Sequence, residues 1–190
     1  LFSVLFGLLL AIAAFVAAVG AFQVLYIGRI FPGVTVAGVD VSGLNPTQAA
    51  EKIAQNITYP QTGRILLQYN DQSWLAYPAQ IGLYLDANAS ANSAFNIGRQ
   101  GNPIERLEGQ IDAWWLGSSL PPTLIFDGRA AFDYLTTLSK EINRAPVEAV
   151  LGVQGIDVIV NAGQPGRELN ITTTLERLLA QMQTLQEGVV

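Results

Sequence analysis

The sequence predicts an α+β fold, in which a single N-terminal transmembrane helix is followed by two diverged strand–helix–hairpin–helix repeats with mainly antiparallel sheets. Three observations support this prediction. The first 28 residues are continuously apolar, strand-like and helix-like segments alternate after them, and similar segments recur at a fixed interval. We therefore divide the chain into a transmembrane helix (1–28), a first repeat (29–120) and a second repeat (121–190).

The segment Leu1–Gly28 contains no charged residue, and the first charge is Arg29. At about 1.5 Å of rise per residue, a helix of this length exceeds the roughly 30 Å hydrocarbon core of a bilayer. Tyr26 would lie at the membrane interface. The alternative is a cleavable signal peptide cut near Val19–Ala21, although the apolar part of such a leader is typically only about 7–15 residues long. A permanent contact with the lipid bilayer is therefore the favoured interpretation.

The first repeat begins with residues 31–41, where apolar and small or polar positions alternate as in one half-buried strand. Asn45 then predicts a helix N-cap, with Pro46 at the first helical position and Gln48 completing a capping box. Apolar residues follow at helical spacing: Ala49, Ala50, Ile53, Ala54 and Ile57. We expect a short helix here.

Two strand-like runs, residues 65–69 and 74–77, flank the polar residues Asn70–Ser73 and predict a hairpin. After a loop, Asp86 predicts the cap of a helix that ends at Gly98.

A further helix is predicted over residues 102–116, because apolar side chains recur there at near-helical spacing. These are Ile104, Leu107, Ile111, Trp114 and Trp115. Tryptophans in such a pattern usually belong to the core. The alternative is stacking on sugar rings, a role also open to Tyr69, Tyr77 and Tyr84.

The same order of elements restarts with a strand at Leu124–Phe126 and with Asp127 as a helix cap. Strand-like runs then predict a second hairpin around Gln154–Gly155. The glycines of Gly163–Gly166 predict a turn with positive φ. Thr173–Glu176 matches a capping box and predicts the start of the last helix.

The repeat rests on matched pairs of residues that are 84 positions apart. These pairs are Gln80 and Gln164, Gly82 and Gly166, and Leu85 and Leu169. At the same offset Asp86 aligns with Asn170, so both copies would begin a helix with an Asx cap.

Composition excludes several functions. The chain has no His and no Cys, which removes imidazole bases, thiolate nucleophiles and the usual zinc ligands. The net charge of −5 argues against a nucleic-acid partner. Glu105 and Glu108 share a helix face and could in principle act as a carboxylate pair, but such a pattern is usually solvated. We therefore expect no enzyme activity, no metal and no cofactor.

Arginines supply the best candidates for ligand binding. Arg99, Arg144 and Arg167 could each hold a carboxylate bidentately. Gln164 lies in the same Gly- and Pro-rich motif as Arg167. Arg99, Arg144, Gln164 and Arg167 are therefore the predicted ligand-binding residues.

The run Phe31–Ala50, directly after the apolar segment, resembles the start of VanW-like and L,D-transpeptidase-associated bacterial envelope proteins. Three later motifs look like the peptidoglycan-binding domain of these proteins: Gly98–Asn102, Ile142–Val147 and Gly163–Arg167. The resemblance implies an exported domain, tethered to the membrane, that binds peptidoglycan or acts as a spacer against it. The catalytic Cys and His of a transpeptidase are missing from this chain.

We expect a single-pass protein of the cell membrane with an extracytoplasmic C-terminal domain, because few basic residues follow the apolar segment closely. The alternative is an accessory or structural subunit of a larger membrane complex. Its docking surface would be a helix face of small residues, comprising Gly7, Ala11, Ala14 and Ala18.

Overall fold

The computed structural model describes residues 2–70, 72–154 and 157–190. Its helices are α1 (Phe2–Leu25), α2 (Pro46–Asn56), α3 (Tyr59–Thr62), α4 (Ala87–Asn96), α5 (Pro103–Trp115), α6 (Gly128–Ile142) and α7 (Ile171–Gln183). Its strands are β1 (Val34–Val36), β2 (Val39–Asp40), β3 (Ile65–Tyr69), β4 (Gln72–Ala76), β5 (Leu83–Leu85), β6 (Ser118–Leu120), β7 (Leu124–Phe126), β8 (Val150–Gln154), β9 (Asp157–Asn161) and β10 (Gly188–Val189). A 3₁₀ turn covers Pro78–Ile81.

The predicted α+β class is confirmed, with small sheets and one apolar N-terminal helix. Parts of three predicted segments lie outside the described residues, namely Leu1 of the apolar segment, Asp71 of the first hairpin turn, and Gly155 and Ile156 of the second hairpin.

The predicted apolar N-terminal helix is confirmed and corresponds to α1. Its stretch Leu5–Leu25 has a mean hydropathy of 2.6 and is long enough to cross a membrane, a property that signal sequences share. None of this stretch is buried against the rest of the protein. Within the whole of α1, Phe2–Leu25, the polar residues are Ser3 and Gln23.

The chain divides into two compact units, each built from two separate stretches. Unit 1 comprises Leu1–Ile57 and Leu85–Thr123, and unit 2 comprises Thr58–Tyr84 and Leu124–Val190. The predicted repeats are contiguous in sequence and do not coincide with these units, and the two-copy organisation stays a prediction.

The sheet of unit 1 corrects the prediction of one strand over residues 31–41. The segment forms a tight hairpin, in which β1 pairs with β2 in antiparallel fashion. Ala37 and Gly38 both have positive φ, 47° and 80°, which suits a two-residue hairpin turn. Strand β6, which was not predicted, pairs with β1 in parallel.

The predicted caps of unit 1 are confirmed. The Asn45 side chain accepts the Gln48 backbone N–H at 2.9 Å, and the Gln48 side chain accepts the Asn45 N–H at 3.2 Å. Asp86 accepts the Ala89 N–H at 2.8 Å. Buried side chains from β1, α2, α4, α5 and the segments that flank them form the core: Ile30, Val34, Val36, Val41, Ala49, Ala50, Ile53, Ile57, Ala91, Ala94 and Ala113.

In unit 2 the predicted β3–β4 hairpin is confirmed, and the unpredicted strand β10 joins β3 in parallel. Strands β8 and β9 form the second predicted hairpin. The Asp127 side chain caps α6 by accepting the Arg129 N–H at 2.9 Å. The core consists of Ile65, Leu67, Ala76, Ile81, Leu83, Ala131, Leu135, Leu138, Ile142, Leu178 and Met182.

The predicted capping box at Thr173–Glu176 is wrong, because α7 begins three residues earlier than this box implies. Asn170 is the N-cap, and its side chain accepts the Thr173 N–H at 3.0 Å. The Asx cap that the sequence alignment places opposite Asp86 is therefore confirmed.

Two segments of unit 2 cross as a short antiparallel pair. Arg144 and Arg167 exchange backbone hydrogen bonds of 2.9 Å, and Val147 and Gln164 exchange bonds of 2.8 Å. The prediction of a positive-φ turn at Gly163–Gly166 is wrong, because neither glycine has positive φ. A Cβ on Gly166 would lie 2.9 Å from the backbone nitrogen of Pro146. Close backbone approach, rather than turn geometry, requires glycine here.

We predict that Gly33→Ala lowers the free energy of unfolding much more than Gly38→Ala. Both glycines have positive φ, 81° and 80°, so both variants carry the about 1–2 kcal/mol cost of a left-handed L-residue. Only on Gly33 would the new Cβ collide, at 1.9 Å from the carbonyl oxygen of Ala113, which adds about 1–3 kcal/mol. Denaturant titration of the full chain in detergent measures both values, and equal losses would contradict the prediction.

We also predict that Gly166→Ala destabilises unit 2 by about 1–3 kcal/mol, because its Cβ would overlap Pro146. Gly128→Ala is the matched control. It lies at the first residue of α6, where the nearest atom to a new Cβ is Phe126 Cε1 at 3.8 Å, and Ala has the higher helix propensity. Thermal unfolding compares the two, and a Gly166→Ala variant as stable as the control would show that the crossing tolerates a side chain.

Candidate functional site

A groove in unit 2 brings aromatic and charged side chains together beside the crossing. We call it the Arg167 groove, and its principal residues are Tyr69, Trp74, Arg167, Glu168, Thr174 and Arg177. Its volume is about 210 Å³. Small-molecule pockets are usually about 300–1,000 Å³, so this groove suits one chemical group of a larger ligand.

The β3–β4 hairpin places the two aromatic residues. Leu67 and Tyr69 point to the same face of β3, because side chains alternate along a strand. Leu67 is buried in the core, whereas Tyr69, at the end of the strand, is 46% exposed. Trp74 lies opposite Leu67 in the register and packs half-buried against the core. The groove therefore has an aromatic wall formed by the β3–β4 hairpin.

Arg167 is held by protein acceptors on two sides. Its Nε donates to the carbonyl of Ile142, and its Nη1 donates to Gln72 Oε1 at 3.0 Å. Its Nη2 makes no hydrogen bond to any residue that the structure describes. The guanidinium is thus oriented in advance, with donors remaining for a ligand carboxylate.

A second concavity, of about 510 Å³, adjoins the groove and shares Arg167 and Glu168 with it. Arg144 lines this concavity and donates from Nη2 to the Pro165 carbonyl at 3.1 Å. Gln164 pairs with Val147 through its backbone, and its side chain lines neither concavity. The crossing therefore brings three of the four predicted ligand residues onto one structural element.

The charge of this region is opposite to that of the whole chain. Arg144, Arg167 and Arg177 line the two adjoining concavities together with one carboxylate, that of Glu168, in a protein with a net charge of −5. The sequence reasoning missed Arg177 and Glu168. Thr174 and Arg177 follow the cap Asn170 at spacings of four and seven, which is the only sequence signal that they share a helix face.

The fourth predicted residue, Arg99, lies in unit 1, where its contacts are internal. Its guanidinium lies between the rings of Phe31 and Phe95, 4.1 Å and 4.0 Å from their centroids. It donates to the backbone carbonyls of Phe95, Arg29 and Tyr26, the last at 3.0 Å. Burial lowers the pKa of Arg99. These contacts connect α4 to the segment that follows α1.

The expectation that Trp114 and Trp115 belong to the core is wrong. They are 62% and 77% exposed, because α5 buries Gln110 and Ala113 instead. Glu105, one of the two carboxylates considered for acid–base chemistry, accepts the Asn102 backbone N–H at 3.0 Å and completes a helix cap.

Residues that could hold a metal ion are not clustered in the described part of the chain. Within residues 2–70, 72–154 and 157–190, no three Asp or Glu side chains come close enough together to form such a site.

A comparison with known protein families matches residues 74–190 to a family described as "Putative peptidoglycan binding domain". The match covers more than half of the chain and includes most of the Arg167 groove, whereas the motif at Phe31–Ala50 lies before it. Neither the curated proteins nor the solved structures gave a match. Because the match covers more than half of the chain, the chain belongs to this peptidoglycan-binding domain family.

Proposed function

We propose that this protein is anchored in the cell membrane by α1 and binds cell-wall peptidoglycan in the Arg167 groove without catalysing a reaction. The observation that carries the proposal is the groove itself. It combines an aromatic wall with a cluster of arginines, and most of it lies within the residues that match the family.

The chemistry of the groove suits a polymer of sugars and short peptides. Tyr69 and Trp74 offer apolar ring faces for a sugar, while their polar atoms can hydrogen-bond at the edge. Arg167 and Arg177 offer donors for the carboxylates of a stem peptide. The chain has neither His nor Cys, and a binding or spacing role requires neither.

The position of the protein follows from α1 and from the ligand. Peptidoglycan lies outside the cytoplasmic membrane, so a binding domain after a single span must be on the outer side. The motif at Phe31–Ala50, which lies before the family match, adds a resemblance to VanW-like envelope proteins. We place the protein among such single-pass, outward-facing proteins.

We predict that Arg177→Gln weakens retention on purified peptidoglycan sacculi by about tenfold to a hundredfold, as expected when a charged hydrogen bond worth about 1.5–3 kcal/mol is lost. Arg129→Gln is the matched control, because it makes the same charge change at an exposed position of unit 2 outside the groove. The assay sediments sacculi with the full chain in detergent at several salt concentrations. Equal retention of both variants would remove the groove from the binding site, and no retention of the unmodified chain would refute binding.

We predict that protease added to intact spheroplasts digests the region after Arg29 and leaves α1 with the membrane. The physical reason is that a segment this apolar partitions into lipid, while few basic residues after it oppose translocation. Immunoblotting of a C-terminal tag measures the loss, with detergent-lysed cells as the control. Protection of the tag would reverse the orientation, and release of a soluble product lacking α1 from undigested cells would identify a cleaved signal sequence.

A further inference from the structure

Helix α5 packs into unit 1 through one face of small and polar residues. Gln110 and Ala113 are buried. Gly109 approaches Gly98 so closely that a Cβ on Gly109 would lie 3.3 Å from Gly98 Cα. The packing of α5 therefore uses almost none of its large apolar side chains.

Those large side chains form a second face, which we call the α5 stripe. Its members recur at helical spacing and are mostly exposed: Ile104, Leu107, Ile111, Trp114 and Trp115. Leu116, directly after the helix, is 82% exposed. Carboxylates at Glu105, Glu108 and Asp112 line one flank of the stripe. The flank is acidic, so only the apolar and tryptophan side chains of the stripe match those found on the lipid side of interfacial helices.

The position of α5 along α1 identifies the surface that the stripe meets. Gln23 donates from Nε2 to Gln110 Oε1 at 2.6 Å, and Gln110 donates to the Gly98 carbonyl at 2.9 Å. Gln23 lies two residues before the end of α1 at Leu25. Since about 20 residues cross the hydrocarbon core, this end of α1 lies at the boundary with the headgroups. Helix α5 thus contacts α1 at the level of the membrane surface.

A cleft of about 520 Å³ between α1 and α5 has the polarity expected at that level. Val19 and Leu107 contribute apolar surface, and Arg99 and Arg106 contribute guanidinium groups. Lipid phosphates lie at the same depth as the end of a span, where long basic side chains commonly meet them. Because Val19 and Gln23 of α1 line this cleft together with Leu107 and Gln110 of α5, the cleft joins the surfaces of the two helices.

We infer that the α5 stripe lies in the interface of the bilayer that α1 spans, with Trp114 and Trp115 inserted among the lipids. This inference rests on the proposed anchoring by α1. Tryptophan is enriched at this depth because its ring is apolar while its N–H can still bond to headgroups or water. Unit 1 is then seated on the membrane surface by two helices rather than suspended from one.

The test uses the three tryptophans of the full chain. A Trp74→Phe variant keeps only Trp114 and Trp115, and a Trp114→Phe/Trp115→Phe double variant keeps only Trp74, which lies in unit 2. Both are reconstituted into phosphatidylcholine vesicles with and without bromine on the acyl chains. Flotation of the vesicles reports anchoring separately. We expect both variants to float, and fluorescence to fall by roughly half or more in brominated vesicles only for Trp74→Phe.

Each other outcome overturns the inference. Flotation without quenching of Trp114 and Trp115 would leave the anchor standing and remove α5 from the interface. A concentration-dependent blue shift without quenching would assign the stripe to a second copy of the chain. Failure to float would refute the anchoring and the inference together. Equal quenching of both variants would show non-specific adsorption of the protein to the vesicles.

Discussion

The interaction on which unit 1 depends is the stacking of Arg99 between Phe31 and Phe95. A planar cation between two rings gains from cation–π attraction, and its remaining donors satisfy carbonyl groups near the end of α1, including that of Tyr26. A positive charge is also favourable at a helix C-terminus. The same aromatic cluster includes Phe22, which stacks on Phe31 at 5.6 Å. These contacts join the C-terminal end of α1 to the folded part of unit 1.

The contacts at the end of α1 explain why α5 has one face packed against the protein and another face that is exposed. Once the end of α1 is fixed, Gln23 reaches Gln110, and the polar side of α5 is occupied by protein. Small residues at Gly98 and Gly109 bring the backbones close enough for this contact. The large side chains of α5 are then directed away from the core of unit 1. The packing of α5 against the end of α1 therefore accounts both for the polar residue Gln23 in an apolar helix and for the exposure of Trp114 and Trp115.

In unit 2, too, a close contact between two backbone segments determines where functional side chains lie. Backbone pairing between Arg144 and Arg167 requires the close approach that Gly166 permits, and it places both guanidinium groups at one surface. Arg167 is further oriented by Gln72 on the β3–β4 hairpin. Preorganised donors lose little conformational entropy when they bind a carboxylate, which favours recognition by a small groove.

Local sequence was sufficient for features that depend on a few neighbouring residues. The caps at Asn45, Asp86 and Asp127 and the β3–β4 hairpin were predictable, because side-chain oxygens and turn residues act within about four positions. The apolar segment was equally clear from composition. The sequence also indicated Arg144 and Arg167 as candidates, because an arginine side chain can hold a carboxylate through two hydrogen bonds.

Only the tertiary structure decided which residues share a site. Strands β6 and β10 are three and two residues long and exist because β1 and β3 pair with them in parallel, so no local pattern marks them. Arg177 lines the groove because of its position on α7, whereas Arg99 lies in unit 1 and makes internal contacts there. Whether Trp115 is buried in a core or exposed depends on which face of α5 the rest of unit 1 covers. The helical spacing in the sequence predicts that α5 has an apolar stripe, but only the packing of unit 1 determines whether that stripe is covered.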